Sequence, residues 1–129
     1  MLIGGSGSSE ALQAVRFNVD VPRLHEQPMA YIFNQWIPAV SNALTERNIS
    51  RDEVDFLLAL DGRLFQVCDG TVNERQDGVD AIGTGATMAL GSLLTSDRWR
   101  DPKKRLMKAL DVTANNVPTV SGPFLLERL

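Results

Sequence analysis

Apolar residues recur along the chain with two different periods, and the change of period marks out its elements. From Met29 onward Ile32, Phe33, Trp36, Ile37, Val40 and Leu44 fall at spacings of three and four, the pattern of an amphipathic helix. Pro28 suits the first helical position, where the missing N–H costs nothing. Pro38 lies inside the pattern, so the helix is expected to kink or divide there. Upstream, Ala11, Leu12, Val15 and Arg16 repeat at helical spacing, with Ser8 or Ser9 as the N-cap. Met1 to Gly4 read as a short strand before that helix. The run Gly4-Gly5-Ser6-Gly7-Ser8-Ser9 has a second reading, a flexible linker. Residues 18–28, with Pro22 and Pro28 and little periodicity, read as a connection.

The period shortens after residue 53. Val54 to Leu60 and Arg63 to Cys68 flank Asp61-Gly62, a pair that favours the positive φ angles of a two-residue hairpin turn. The first arm is apolar on both faces beyond Asp55, which predicts a sheet covered on both sides. A polar loop is expected over 69–78, then a short strand Val79-Asp80-Ala81-Ile82. Gly83-Thr84-Gly85 opens a helix carrying Met88, Ala89, Leu93 and Leu94. The tract Ser96 to Asp101 interrupts it, and Pro102 starts a further helix with Leu106, Met107, Leu110 and Ala114 on its apolar side. Pro118 ends that region, and Pro123 to Leu129 are expected to form a terminal strand. The order is mixed α and β, with no repeat and no linker long enough to separate domains, so 1–129 reads as one domain.

Composition narrows the function classes. The chain has 129 residues, 43% hydrophobic and 22% charged, a balance that suits a globular domain rather than a disordered chain. At this length roughly two-thirds of the unfolded surface can be buried, so a core needs no staples. The single cysteine, Cys68, excludes an internal disulfide, and the one histidine, His25, removes the usual zinc constellations. No metal and no cofactor are expected. No apolar run approaches the roughly 18 residues of a membrane span, and no basic stretch leads into an apolar core at the start. The net charge of −3 offers no general attraction to phosphate backbones. A cytoplasmic chain that binds neither nucleic acid nor membrane is the expectation.

Several features then occur in one order: the hairpin, Asp80-Ala81-Ile82-Gly83-Thr84-Gly85 running into Ala86-Thr87-Met88-Ala89-Leu90-Gly91, a second helix, and Ser121-Gly122-Pro123. Together they resemble the proteasome β-type subunits and their bacterial and phage relatives, a family of N-terminal-nucleophile hydrolases. The resemblance covers nearly the whole chain and is most specific over 80–91. It implies an α+β fold, the four-layer α-β-β-α sandwich, present here in part and without its N-terminal strands. It also implies that helices at 8–17 and 29–47 cover one sheet, and those at 86–96 and 102–116 the other.

In that family an N-terminal threonine, serine or cysteine attacks a carbonyl with its own α-amino group as base, which demands that the nucleophile be the first residue of the mature chain. Met1-Leu2 does not provide it. Four strands and the family's Asp and Lys have no counterpart either, so the resemblance implies no catalytic residue within this sequence. What it does carry over is a pocket wall. Gly5 matches the glycine whose N–H stabilises the oxyanion, Thr84 matches a serine beside the nucleophile, and Ser121 and Gly122 match a Ser-Gly pair. Pro118 stands where many members have an Asp, a departure from the pattern.

Each of these has a plainer reading. Gly5 can be a turn glycine, Thr84 a helix cap, and Ser121 an ordinary turn residue. Cys68 reads as a small hydrophobe within a strand rather than a nucleophile, His25 as a loop residue, and Asp52-Glu53 as an exposed turn. Two functions stay open: part of an amide-hydrolysing subunit whose nucleophile segment lies elsewhere, or a non-catalytic structural or assembly subunit. A small binding domain of unrelated fold is a third. The resemblance further implies a homo-oligomer or a missing N-terminal segment as partner, and an unfoldase ATPase.

Overall fold

A computed structural model describes all 129 residues. Strand β1 (Leu2–Gly7) leads into helix α1 (Ser9–Asn18), and the Ser8 hydroxyl caps it by accepting from the Ala11 N–H at 3.3 Å. The glycine-rich stretch is therefore strand and cap rather than linker. Its glycines suit the place: a β-carbon at Gly7, where φ is 126°, would run into the Glu53 carbonyl.

After the connection come α2 (Pro28–Tyr31), a π-helical turn (Ile32–Trp36) and α3 (Ile37–Thr45). These follow one another without a break. Pro38 has no N–H to give to the preceding turn, and the wider turn just before it absorbs that loss, with the Ile37 N–H reaching back to the Ile32 carbonyl. The division expected at Pro38 thus takes the form of a π turn.

A 3-10 turn (Arg51–Glu53) opens β2 (Val54–Leu60), which pairs antiparallel with β1 and with β3 (Arg63–Cys68). Asp61 and Gly62 take φ of 52° and 73°, the hairpin geometry their sequence favours. Asp69 and Gly70 repeat it with 45° and 75°, and β4 (Thr71–Glu74) folds back on β3. That strand replaces part of the loop expected at 69–78. The sheet order is β1-β2-β3-β4.

The two faces of this sheet differ. Val54, Phe56, Leu58, Leu60, Phe65 and Val67 point one way, into a core of 16 buried residues shared with α1 and the helix of 28–45. Trp36, fully buried, meets Phe56 edge to face with centroids 5.1 Å apart. On the other face Leu57, Ala59, Leu64 and Gln66 are only half-buried. Helices α4 (Ala86–Thr95) and α5 (Pro102–Asn116) pack on each other at that side. Asp101 caps α5, and the Arg105 guanidinium donates to the Leu93 carbonyl in the last turn of α4.

Two expected strands are absent. Residues 79–82 and 121–129 lie in no ladder, because a strand needs a neighbour to receive its backbone groups and the four strands present pair only among themselves.

Candidate functional site

Where β1 and β2 turn their second face toward α4 and α5, a cleft of about 390 Å³ opens. Its sheet wall is Ser6 and Leu57; its helical wall includes Ala89, Leu93, Leu106, Ala109 and Thr113. The turn from Asp80 to Gly85 forms its rim, with Val120 beside it. The interior is apolar and the rim carries the polar groups, the usual division of labour in a binding cleft.

The rim is shaped by close approaches. Gly83 has φ of 93°, and a β-carbon there would stand 3.0 Å from the Ser6 hydroxyl oxygen. Gly85, the N-cap of α4, has ordinary angles, but a β-carbon would collide with Thr113 and come within 3.1 Å of Val120. Glycines at both positions let the turn press against β1 on one side and α5 on the other. Between them the exposed Thr84 side chain exchanges a hydroxyl hydrogen bond with Thr119 at 3.1 Å. The Asp80 carboxylate accepts from the Ala81 N–H at 2.8 Å.

The residues singled out from the sequence do not all meet here. Thr84 is on the rim. Gly5, one position from Ser6 on the same strand, turns its α-carbon to the opposite face, where a β-carbon would strike Leu12 and lie 3.4 Å from Phe56. It lines a separate apolar cleft of about 430 Å³ with Leu12, Val15, Arg16 and Trp36. Ser121 and Gly122 lie just beyond Val120, in the exposed segment that ends the chain, and line neither cleft. Ser6 is the hydroxyl that sequence reasoning missed. The signal was available in the two-residue alternation of a strand, which sets neighbouring residues on opposite faces.

Other candidates are elsewhere. Cys68 is exposed, and the Asp55 carboxylate beside it, through a hydrogen bond and its charge, pushes the thiol pKa up, so the thiolate is disfavoured. His25 is exposed in the connection before α2, and Asp52 and Glu53 are exposed in the 3-10 turn, where the Glu53 carbonyl accepts from the Ser8 N–H at 2.9 Å. No three His, Cys, Asp or Glu side chains gather closely enough to hold a metal ion. The rim of hydroxyls and one carboxylate can orient a polar group by hydrogen bonding. It offers no imidazole or amine to act as base beside a nucleophile.

No family model matches the sequence, and no curated protein matches it. Solved structures do. The BPH protein of Thiobacillus denitrificans superposes with a TM-score of 0.74 at 22% identity, over 94% of this chain and 70% of that one. The same protein in complex with epoxomicin gives 0.74 at 24% identity. Eukaryotic HslV from Trypanosoma brucei gives 0.62 at 16% identity, over 92% of this chain and 70% of its own. At such identities the likeness speaks to fold. The chain has, in part, the α+β fold of the proteasome-type N-terminal-nucleophile hydrolases.

Proposed function

We propose that these residues form one proteasome-like domain, part of an amide-hydrolysing subunit of the N-terminal-nucleophile type, and that the nucleophile lies outside them. The observation that carries this reading is the half-covered second face of the sheet, in a chain that superposes over 94% of its length on a neighbour of which it spans 70%. Apolar positions such as Leu57, Ala59 and Leu64 call for a second layer, and the free edge of β1 offers unpaired backbone groups to a further strand. The unmatched part of the neighbour is the natural model for both. The rim of Ser6, Thr84 and Asp80 would then flank the reacting carbonyl. The neighbour's complex with epoxomicin favours a nucleophile of this class.

Assembly into a homo-oligomer in the cytoplasm, served by an unfoldase ATPase, belongs to the same reading. The second reading is a non-catalytic structural subunit, favoured by Pro118, which stands where many family members have an Asp. The first measurement tests the absence of a nucleophile from these residues, and the second separates the two readings. The 129 residues alone are expected to give no turnover of a fluorogenic peptide panel, and measurable turnover blocked by an N-terminal-nucleophile inhibitor would sink the proposal. The polypeptide isolated from its natural source is expected to begin with Thr, Ser or Cys and to be labelled there by an epoxyketone. A natural polypeptide that begins otherwise and takes no label would leave the structural subunit standing.

A further inference from the structure

On the opposite face of the sheet from the Ser6–Thr84 cleft, two polar atoms are buried without a protein partner: the indole nitrogen of Trp36 and the hydroxyl oxygen of Ser41. Both residues line one small recess of about 20 Å³ between α3 and the sheet. Most of its other walls are apolar, among them Val40, Val54 and Phe56. The indole can only donate a hydrogen bond, and a hydroxyl can donate or accept. Buried polar groups are almost always paired, and a space of more than about 10–15 Å³ with two to four polar neighbours suits one water molecule.

We propose that this space holds a single buried water that accepts from the Trp36 N–H and donates to the Ser41 oxygen. Arg51 and Asp69 supply the remaining polar lining. Arg51 stands at the mouth of the recess, its guanidinium lying over Gly70, 2.5 Å from where a β-carbon would be. The water thus links the last residue of the π turn, Trp36, to Ser41 in the middle of α3, beside the Asp69-Gly70 turn that launches β4. It gives the Trp36 indole, the large core side chain whose polar atom has no protein partner, a fixed orientation against Phe56, which apolar packing alone specifies less tightly.

The test is water-selective nuclear Overhauser spectroscopy on protein labelled with ¹⁵N at the indoles, the two signals being assigned with Trp99→Phe. The Trp36 indole proton is expected to show a cross-peak at the water frequency, with the sign of direct dipolar contact rather than exchange, and Ser41→Ala is expected to weaken it. A crystal structure should place the water about 2.7–3.2 Å from both atoms. The proposal is overturned by a Trp36 indole with no contact to water, by a cross-peak of full intensity in folded Ser41→Ala, or by density showing the indole bonded to a protein group. The wild-type measurement decides the matter even where the variant does not fold.

Discussion

At Gly85 the backbone angles, φ −92° and ψ 3°, are ones any residue adopts, yet Thr113 and Val120 leave no room for a methyl group. Gly83 differs, since its φ of 93° already disfavours an L side chain before the Ser6 hydroxyl is met. Gly85→Ala should therefore destabilise by overpacking, about 1–3 kcal/mol, and Thr113→Ser or Val120→Ala should relieve part of the loss. Urea denaturation of the single and double variants measures this, and additive effects would refute the collision. A second residue-scale expectation concerns Glu74. The Arg63 guanidinium, bonded to it at 2.5 Å, lowers its pKa. The folded state then binds its proton less readily than the unfolded one, so the pair's contribution is complete above the ordinary glutamate range and is lost as pH falls through the lowered folded value. Side-chain NMR titration should find Glu74 below the usual range, and in Arg63→Ala back within it.

The elements show what local signals carry. The β2–β3 hairpin and its turn, α1 with its Ser8 cap, and the long helix with an irregularity at Pro38 were all legible, because each rests on a period or a residue whose preference is local. Strand β4 was not, although Asp69-Gly70 repeats the turn signal of Asp61-Gly62; its four residues Thr71–Glu74 are too few to display a period. The strands expected at 79–82 and 123–129 failed for another reason: strand formation depends on a partner ladder that local pattern does not reveal. The candidate site divided likewise. Thr84 was placed on the turn that forms the rim, whereas Ser6 depended on the register of β1 against β2. At this scale the cap is the cleanest test. Ser8→Ala should cost about 1 kcal/mol and lower the amide protection of the first turn of α1 selectively, and an unchanged urea midpoint would deny the cap its role.

In the whole molecule the burial is lopsided. The connected core of 16 residues belongs to the sheet, α1 and the helix of 28–45, while α4 and α5 together bury only Leu93, Ala109 and Thr113 within their spans. No helix is long and apolar enough to cross a membrane. Two units of unequal strength are expected, since local opening follows the number of buried apolar contacts. Native-state hydrogen exchange should show α4 and α5 opening at lower free energy than β2 and β3. Equal protection throughout would mean that the helical pair is held as firmly as the core. A partner layer filling the cleft between Leu57 and Leu106 should raise the protection of α4 and α5 most.

Cys68 stands opposite Asp55 in the β2–β3 register, on the sheet face that α1 does not cover, and it is exposed and alone of its kind. That makes it a built-in footprinting probe. Its raised pKa sets a slow baseline for maleimide at neutral pH, with a rate that climbs as the thiol ionises. Any polypeptide that comes to lie over this face would shield the sulfur and slow the labelling further, whereas one that binds only on the side of α1 and the helix of 28–45 would leave it untouched. The kinetics of one reagent on the unaltered chain would thus report which side of the sheet a partner occupies.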